Sequence, residues 1–181
     1  MSRTAEPSLS RAPAHAVHVL DGGCAVACAQ VRALAAGLSA HGLRVSVCAP
    51  RDVAAACVTG TGAGPVRIGG AGRTGGTRGE TLCALRAVCA DADVVHAHGP
   101  RAAALAALAL AGAGGRARRV PLVLSWHARE HPDGARAAVL RMLERRAVRA
   151  ASVVLGATGA LVQCARRRGA RDARLASAGL P

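Results

Sequence analysis

The sequence predicts an α/β domain of three layers, with helices on both faces of a mostly parallel sheet. Three observations predict it. Short apolar runs closed by turn residues alternate with longer stretches of helical apolar spacing, the pattern of successive βαβ crossovers. The length, 181 residues, suits one domain, and an apolar content of 51% is enough to fill a core. No internal repeat divides the chain.

The elements follow in order. Residues 1–14 are polar, with Ser, Arg and Pro, and read as a disordered segment ahead of one domain over 15–181. Ala16-Val17-His18-Val19-Leu20 is a first strand, and Asp21-Gly22-Gly23 a turn. Residues 27–40 carry Val31, Leu34, Ala35 and Leu38 at helical spacing and stop at His41-Gly42. A second strand covers 43–49 and closes at Pro50. Residues 51–79 read as the least regular part, Gly- and Thr-rich with one short strand at Val66-Arg67-Ile68, and the segment from about Gly60 to Gly79 is expected to be mobile. Helices are expected over 80–90, 101–113, 135–150 and 158–168. Strands are expected over 94–98, 120–126, 152–155 and 173–176.

The core has an unusual make-up. There is no Phe or Tyr and only Trp126, so burial rests on Ala, Val and Leu, which bring less area per residue than aromatic rings. The net charge is +14, and every one of the 24 basic residues is Arg. Two readings of that excess stand. One is a genome-wide bias toward Arg and Ala. The other is attraction to an anion, whose oxygens the planar guanidinium fork binds in pairs. Seven cysteines without CxxC spacing argue against a zinc ribbon or a thioredoxin motif and fit reduced thiols in a cytoplasmic protein. Met1 to Pro13 lack the apolar core of a signal peptide, and the alanine run Ala102–Ala111 is too short to span a bilayer. The expected location is cytoplasmic, with peripheral attachment at the inner face of the membrane as an extension.

The chemistry concentrates at strand ends. Asp93-Val94-Val95-His96-Ala97-His98-Gly99 is a strand that ends in two histidines and a glycine, just ahead of a helix beginning near Arg101. His127 ends another strand, Leu122-Val123-Leu124-Ser125-Trp126. In open parallel sheets ligands bind outside the carboxyl ends of the strands. Neighbouring strands would bring His96, His98 and His127 to one edge. There they could hydrogen-bond hydroxyls or phosphate, form a three-histidine metal site, or cap backbone carbonyls. No carboxylate accompanies them, and the expectation is no metal and no cofactor. Gly22-Gly23, between strand and helix, either lets backbone N–H groups approach a phosphate or simply makes a tight turn. Arg141, Arg145 and Arg149 recur on one helix opposite Leu140, Leu143 and Ala147, and Arg166-Arg167-Arg168 follows. They read as a solvated face or as the footprint of an anionic membrane. Without aromatic residues for stacking, nucleic acid is not an expected partner.

The order of these motifs resembles the N-terminal domain of family 4 retaining glycosyltransferases, enzymes of the GT-B architecture. The resemblance is carried by the glycine turn, by Leu34-Ala35-Ala36-Gly37-Leu38-Ser39-Ala40-His41-Gly42-Leu43, by the two histidine-ended strands, and by the run from Glu144 to Ala157. It implies a Rossmann-like acceptor-side domain, one half of a two-domain enzyme that moves a sugar from a nucleotide-sugar donor to a hydroxyl acceptor. It places Gly22 and Gly23 near the donor phosphates, His127 at the transferred sugar, and His96, His98, Gly99 and Arg101 along the acceptor cleft. It implies no metal. The donor-binding C-terminal half is expected as the missing partner domain or subunit, and these residues alone are expected to be inactive. The rivals are a degenerate domain that binds a protein partner or an anionic surface, and a flavodoxin-like module for a small ligand.

Overall fold

The computed structural model describes residues 12–22, 24–69, 78–112, 120–128 and 134–176. Its strands are β1 (His15–Leu20), β2 (Arg44–Ala49), β3 (Gly64–Arg67), β4 (Val94–His98), β5 (Leu122–Trp126), β6 (Val153–Gly156) and β7 (Ala173–Leu175). Its helices are α1 (Ala25–Ala40), α2 (Arg51–Val58), α3 (Arg78–Cys89), α4 (Pro100–Ala111), α5 (Gly134–Ala150) and α6 (Gly159–Arg167). All seven strands join one parallel sheet in the order β3-β2-β1-β4-β5-β6-β7. The α/β expectation holds, as a Rossmann-like parallel sheet between helical layers.

The side-chain alternation of the strands separates two cores. Val17, Val19, Val95, Ala97, Leu122, Leu124 and Trp126 face one side, into a cluster with residues of α3 to α6. Leu20, Val47 and Ala49 face the other, against Ala27 and Val31 of α1 and Ala54 and Cys57 of α2. Small side chains make this packing close. On α4, Ala102, Ala103, Ala104, Ala106 and Ala109 are all buried, and α4 lies between α3 and α5. Trp126, 1% exposed, is the largest buried side chain, and its indole N–H donates to the Ala128 carbonyl at 2.9 Å.

Two corrections concern the stretch 51–79. Arg51–Val58 is a helix rather than irregular chain, capped by Pro50 with Asp52 in its first turn. Its buried Ala54 and Cys57 stand three apart, and the Cys57 sulfur lies 2.8 Å from that of Cys28 on α1. The short strand begins earlier, at Gly64, and pairs with β2. Of the stretch from Gly60 to Gly79 expected to be mobile, residues 70–77 lie outside the described residues, as do residues 1–11 of the expected disordered segment.

His15 shows what a satisfied structural histidine looks like in this fold. It starts β1, 3% exposed, with Nε2 2.9 Å from the Ser46 hydroxyl and Nδ1 3.2 Å from an Asp91 carboxylate oxygen. Arg44 pairs with the same carboxylate, which its guanidinium holds below the usual aspartate range.

Candidate functional site

The strand order fixes where a ligand can sit. From β1 the chain winds outward to β2 and β3, then crosses back to β4 on the other side of β1. That reversal opens a crevice at the carboxyl ends of β1 and β4. Both strands carry histidines there. In the register His18 lies opposite His96, Leu20 opposite His98, and His98 opposite Ser125 on β5. His18, His96, His98 and Ser125 therefore share one sheet face. His127, two residues beyond Ser125, continues the row.

The rings form one cluster. Centroid separations are 5.3 Å for His18–His96, 5.5 Å for His18–His98 and 4.3 Å for His96–His98. His127 stacks on His98 at 6.1 Å with the ring planes 3° apart. His18 Nδ1 lies 3.2 Å from His98 Nε2, and His96 Nε2 lies 2.8 Å from the Ser125 hydroxyl. His18 and His98 are buried, whereas His96 and His127 are half-buried. The sequence reading named His96, His98 and His127, and the fold brings them together. It missed His18, which reads as a mid-strand residue until β1 is known to lie beside β4.

Burial decides the charge state. Loss of hydration disfavours an imidazolium, so His18 is pushed down to about 4. His96 is pushed down to about 3, by burial first and then by His18 and His127. Burial, followed by the neighbouring rings, takes His98 well below the ordinary histidine range, and burial lowers His127. At neutral pH the cluster is a set of uncharged rings, each with one N–H and one lone pair. Its satisfaction is incomplete. Unlike His15, His18 leaves Nε2, His98 leaves Nδ1, and His127 leaves both nitrogens buried without a partner among the described residues.

The other expected site residues divide. Gly99 has φ +98° and ψ 154°, a conformation nearly confined to glycine, and it caps α4 ahead of Pro100. Its N–H donates to the Ser125 carbonyl at 2.8 Å, so the turn after His98 is tied to β5. Arg101 is exposed in the first turn of α4. Gly22 follows β1 at the same sheet edge, with nothing within 4 Å of where a Cβ would stand. Gly23 lies outside the described residues. Beyond it, α1 starts without a side-chain cap and without an acidic residue in its first turn, which leaves its positive end open to an anion.

The family described as "Glycosyl transferase 4-like domain" matches residues 22–178, most of the chain. The chain belongs to this family. As a glycosyltransferase 4-like domain it has the glycine turn at the start of the matched region and both histidine-ended strands inside it. No curated protein matches the chain. Among solved structures, it is similar to a short-chain dehydrogenase/reductase (ethylated) from Veillonella parvula DSM 2008. That match has 12% identity, a TM-score of 0.47, and coverage of 81% of this chain and 69% of that one. The likeness is loose, and the fold assignment rests on the strand order itself.

The arginine runs of this glycosyltransferase 4-like domain separate into two kinds. Arg141, Arg145, Arg146 and Arg149 line a shallow groove on α5 with Met142, while Leu140 and Ala147 face inward. Arg166, though exposed, and half-buried Arg168 also serve the fold. The first donates to the Ala173 carbonyl at 3.2 Å, and the second pairs with buried Glu144. No helix among the described residues is long and apolar enough to cross a membrane.

Proposed function

We propose that this domain is the acceptor-side wall of a glycosyltransferase that moves a sugar from a nucleotide-sugar donor to a hydroxyl acceptor. The observation that carries the reading is the row His98–His127 at the switch-point crevice. It joins uncharged rings with unpartnered nitrogens to a glycine turn and an uncapped helix end at the same edge of the sheet. Neutral imidazoles suit sugar hydroxyls, since each can donate and accept one hydrogen bond. In this reading His127 holds the transferred sugar, and Gly22 and Gly23 with the start of α1 meet the donor phosphates. His96, His98, Gly99 and Arg101 line the acceptor side. Backbone N–H groups fixed in advance at a departing diphosphate would lower the barrier without reorganising. A cleft needs two walls, and the described residues build one sheet. Turnover is therefore expected only with a donor-binding half present, as a domain or a subunit.

The test pairs the domain with such a half and compares His127→Ala with the unsubstituted protein. Transfer should fall by about a hundredfold, through loss of a contact strengthened in the transition state. Folding should change by no more than about 1 kcal/mol, because the ring is only half-buried. A large loss of stability, with activity falling only in proportion to folded protein, would make His127 a structural residue.

One observation favours the second reading, a non-catalytic domain that binds an anionic surface or an acidic protein partner. The α5 groove sets four arginines beside Met142, which is 57% exposed, with Val139, 55% exposed, on the same helix. Salt-sensitive binding to anionic vesicles, abolished by Arg145→Glu together with Arg149→Glu, would support it. It would also place the domain peripherally at the inner face of a membrane.

A further inference from the structure

We propose that His18, His96 and His98 are the three protein ligands of a transition-metal dication, zinc(II) by the chemistry of the donor set. The proposal stands on the placement of these three rings and holds independently of the glycosyl-transfer reading.

One ligand nitrogen from each ring lies within 4.8 Å of the others. The 3.2 Å between His18 Nδ1 and His98 Nε2 is the telling distance. Two nitrogens bound to zinc at about 2.0–2.1 Å in tetrahedral geometry stand roughly 3.3–3.4 Å apart. The pair is already spaced as two corners of that tetrahedron, and the third ligand atom, on His96, lies within 4.8 Å of both and has to draw in to complete it. The scaffold is stiff, since His18 and His96 are register partners on adjacent central strands and His98 follows on the same face.

The surroundings point the same way. A structural histidine would have its ring nitrogens occupied, as His15 does. Here the far-side nitrogens, His18 Nε2 and His98 Nδ1, are buried with no partner among the described residues, so no outer group fixes the tautomers and the facing His18 Nδ1 and His98 Nε2 can both present lone pairs to an ion. Ser125 contacts the His96 ring at 2.8 Å, the kind of outer contact that orients a ligating imidazole. His96 is half-buried, as are Val123, Val153 and Leu155 on the same face, which gives an ion a way in.

The sequence expectation was no metal, for want of a carboxylate. That remains the chemistry of the set: three uncharged ligands leave the full charge of the dication on the site. The fourth position then favours an anionic oxygen or water over another neutral group. Imidazole sets of this kind suit zinc and copper rather than magnesium or calcium. Such an ion would cross-link β1 to β4 at the floor of the crevice.

The experiment takes the purified full chain, stripped with chelator, and titrates zinc(II) alone by calorimetry, with cobalt(II) as a spectroscopic stand-in. The expected result is one equivalent bound, a raised Tm, visible cobalt absorption of tetrahedral type without a thiolate charge-transfer band, and at least tenfold weaker binding in His96→Gln and in His98→Gln. If the variants fail to fold, long-range nitrogen-15 spectra of the unsubstituted protein decide. Zinc should move the ring resonances of three histidines. Absence of saturable one-to-one binding would overturn the proposal. So would binding that leaves the histidine resonances unmoved and gives cobalt a thiolate band, which would assign the ion to the cysteines. No sugar enters the measurement, so its failure leaves the transferase reading standing.

Discussion

Glu144 on α5 and Arg168 just beyond α6 form an ion pair inside the protein, with their side chains only 3% and 13% exposed. The Arg168 guanidinium also lies over the Trp126 ring, 5.7 Å from its centroid. One cation thereby ties two helices to the indole at the end of β5, the strand that delivers His127.

That arrangement predicts an asymmetric mutational response. Glu144→Ala leaves a buried guanidinium without its counter-charge and should destabilise the fold by about 3–5 kcal/mol, measured by urea denaturation. Replacing both partners together, Glu144→Met with Arg168→Leu, should cost far less than the single change. Equal losses in the two variants would show that the pair is not the source.

Two glycines at the crevice should behave in opposite ways. Gly99 has φ +98°, where any side chain is strained, so Gly99→Ala should cost about 1–3 kcal/mol although a Cβ there meets no neighbour. Gly22 has neither a positive φ nor a crowding neighbour, so Gly22→Ala should leave stability within about 0.5 kcal/mol. If Gly22 lets a phosphate approach the backbone, donor binding should weaken even so. Thermal melts and donor titration of both variants check the pair.

Alkaline stability should report the cysteines alone, because the chain has no Lys and no Tyr to titrate in the same range. Burial pushes the Cys48 thiol up to about 12, with Cys89 adding to it, and pushes Cys89 up to about 11, with Asp91 adding to that. A thiol raised above its unfolded value, near 9.0, contributes stability that is complete below that pH. The contribution drains away as pH climbs toward the folded value. At about pH 11 the Cys48 share should have fallen by on the order of 2 kcal/mol. Stability measured from pH 8 upward should fall more steeply past 9, and Cys48→Ala should remove its own share of that fall, leaving the shares of Cys89 and of Cys57, which is also pushed up to about 12. A flat profile in the unsubstituted protein would contradict the assignment.

Local pattern made most of the fold legible. The alternation of Val17 and Val19, the spacing of Val31 and Ala35, and the turn at His41-Gly42 each carry their own signal. Helix α2 was also within reach, since Pro50, Asp52 and the following alanines form an ordinary helix start. The glycines and threonines after it masked that start. What local pattern could not supply was register. Nothing near His18 says that it will face His96, because that pairing depends on which strand lies beside β1. Glu144 is a similar case, as one acid among arginines on α5 reads as solvent-facing until α6 returns Arg168 to it. The site residues with a strand-end signal were found, and those made by long-range pairing were not.

In the proposed function the carboxyl edge of β1, β4 and β5 receives a nucleotide sugar and its acceptor. The most direct measurement is a nitrogen-15 NMR titration of the chain with a panel of nucleotide diphosphate sugars. The expected result is weak, saturable shifts confined to Gly22, the first turn of α1, Gly99 and the His98 and His127 rings. They should be lost in His127→Ala while the remaining resonances keep their places. Shifts that instead gather along Arg141, Arg145 and Arg149, or a crevice unmoved by every member of the panel, would contradict it.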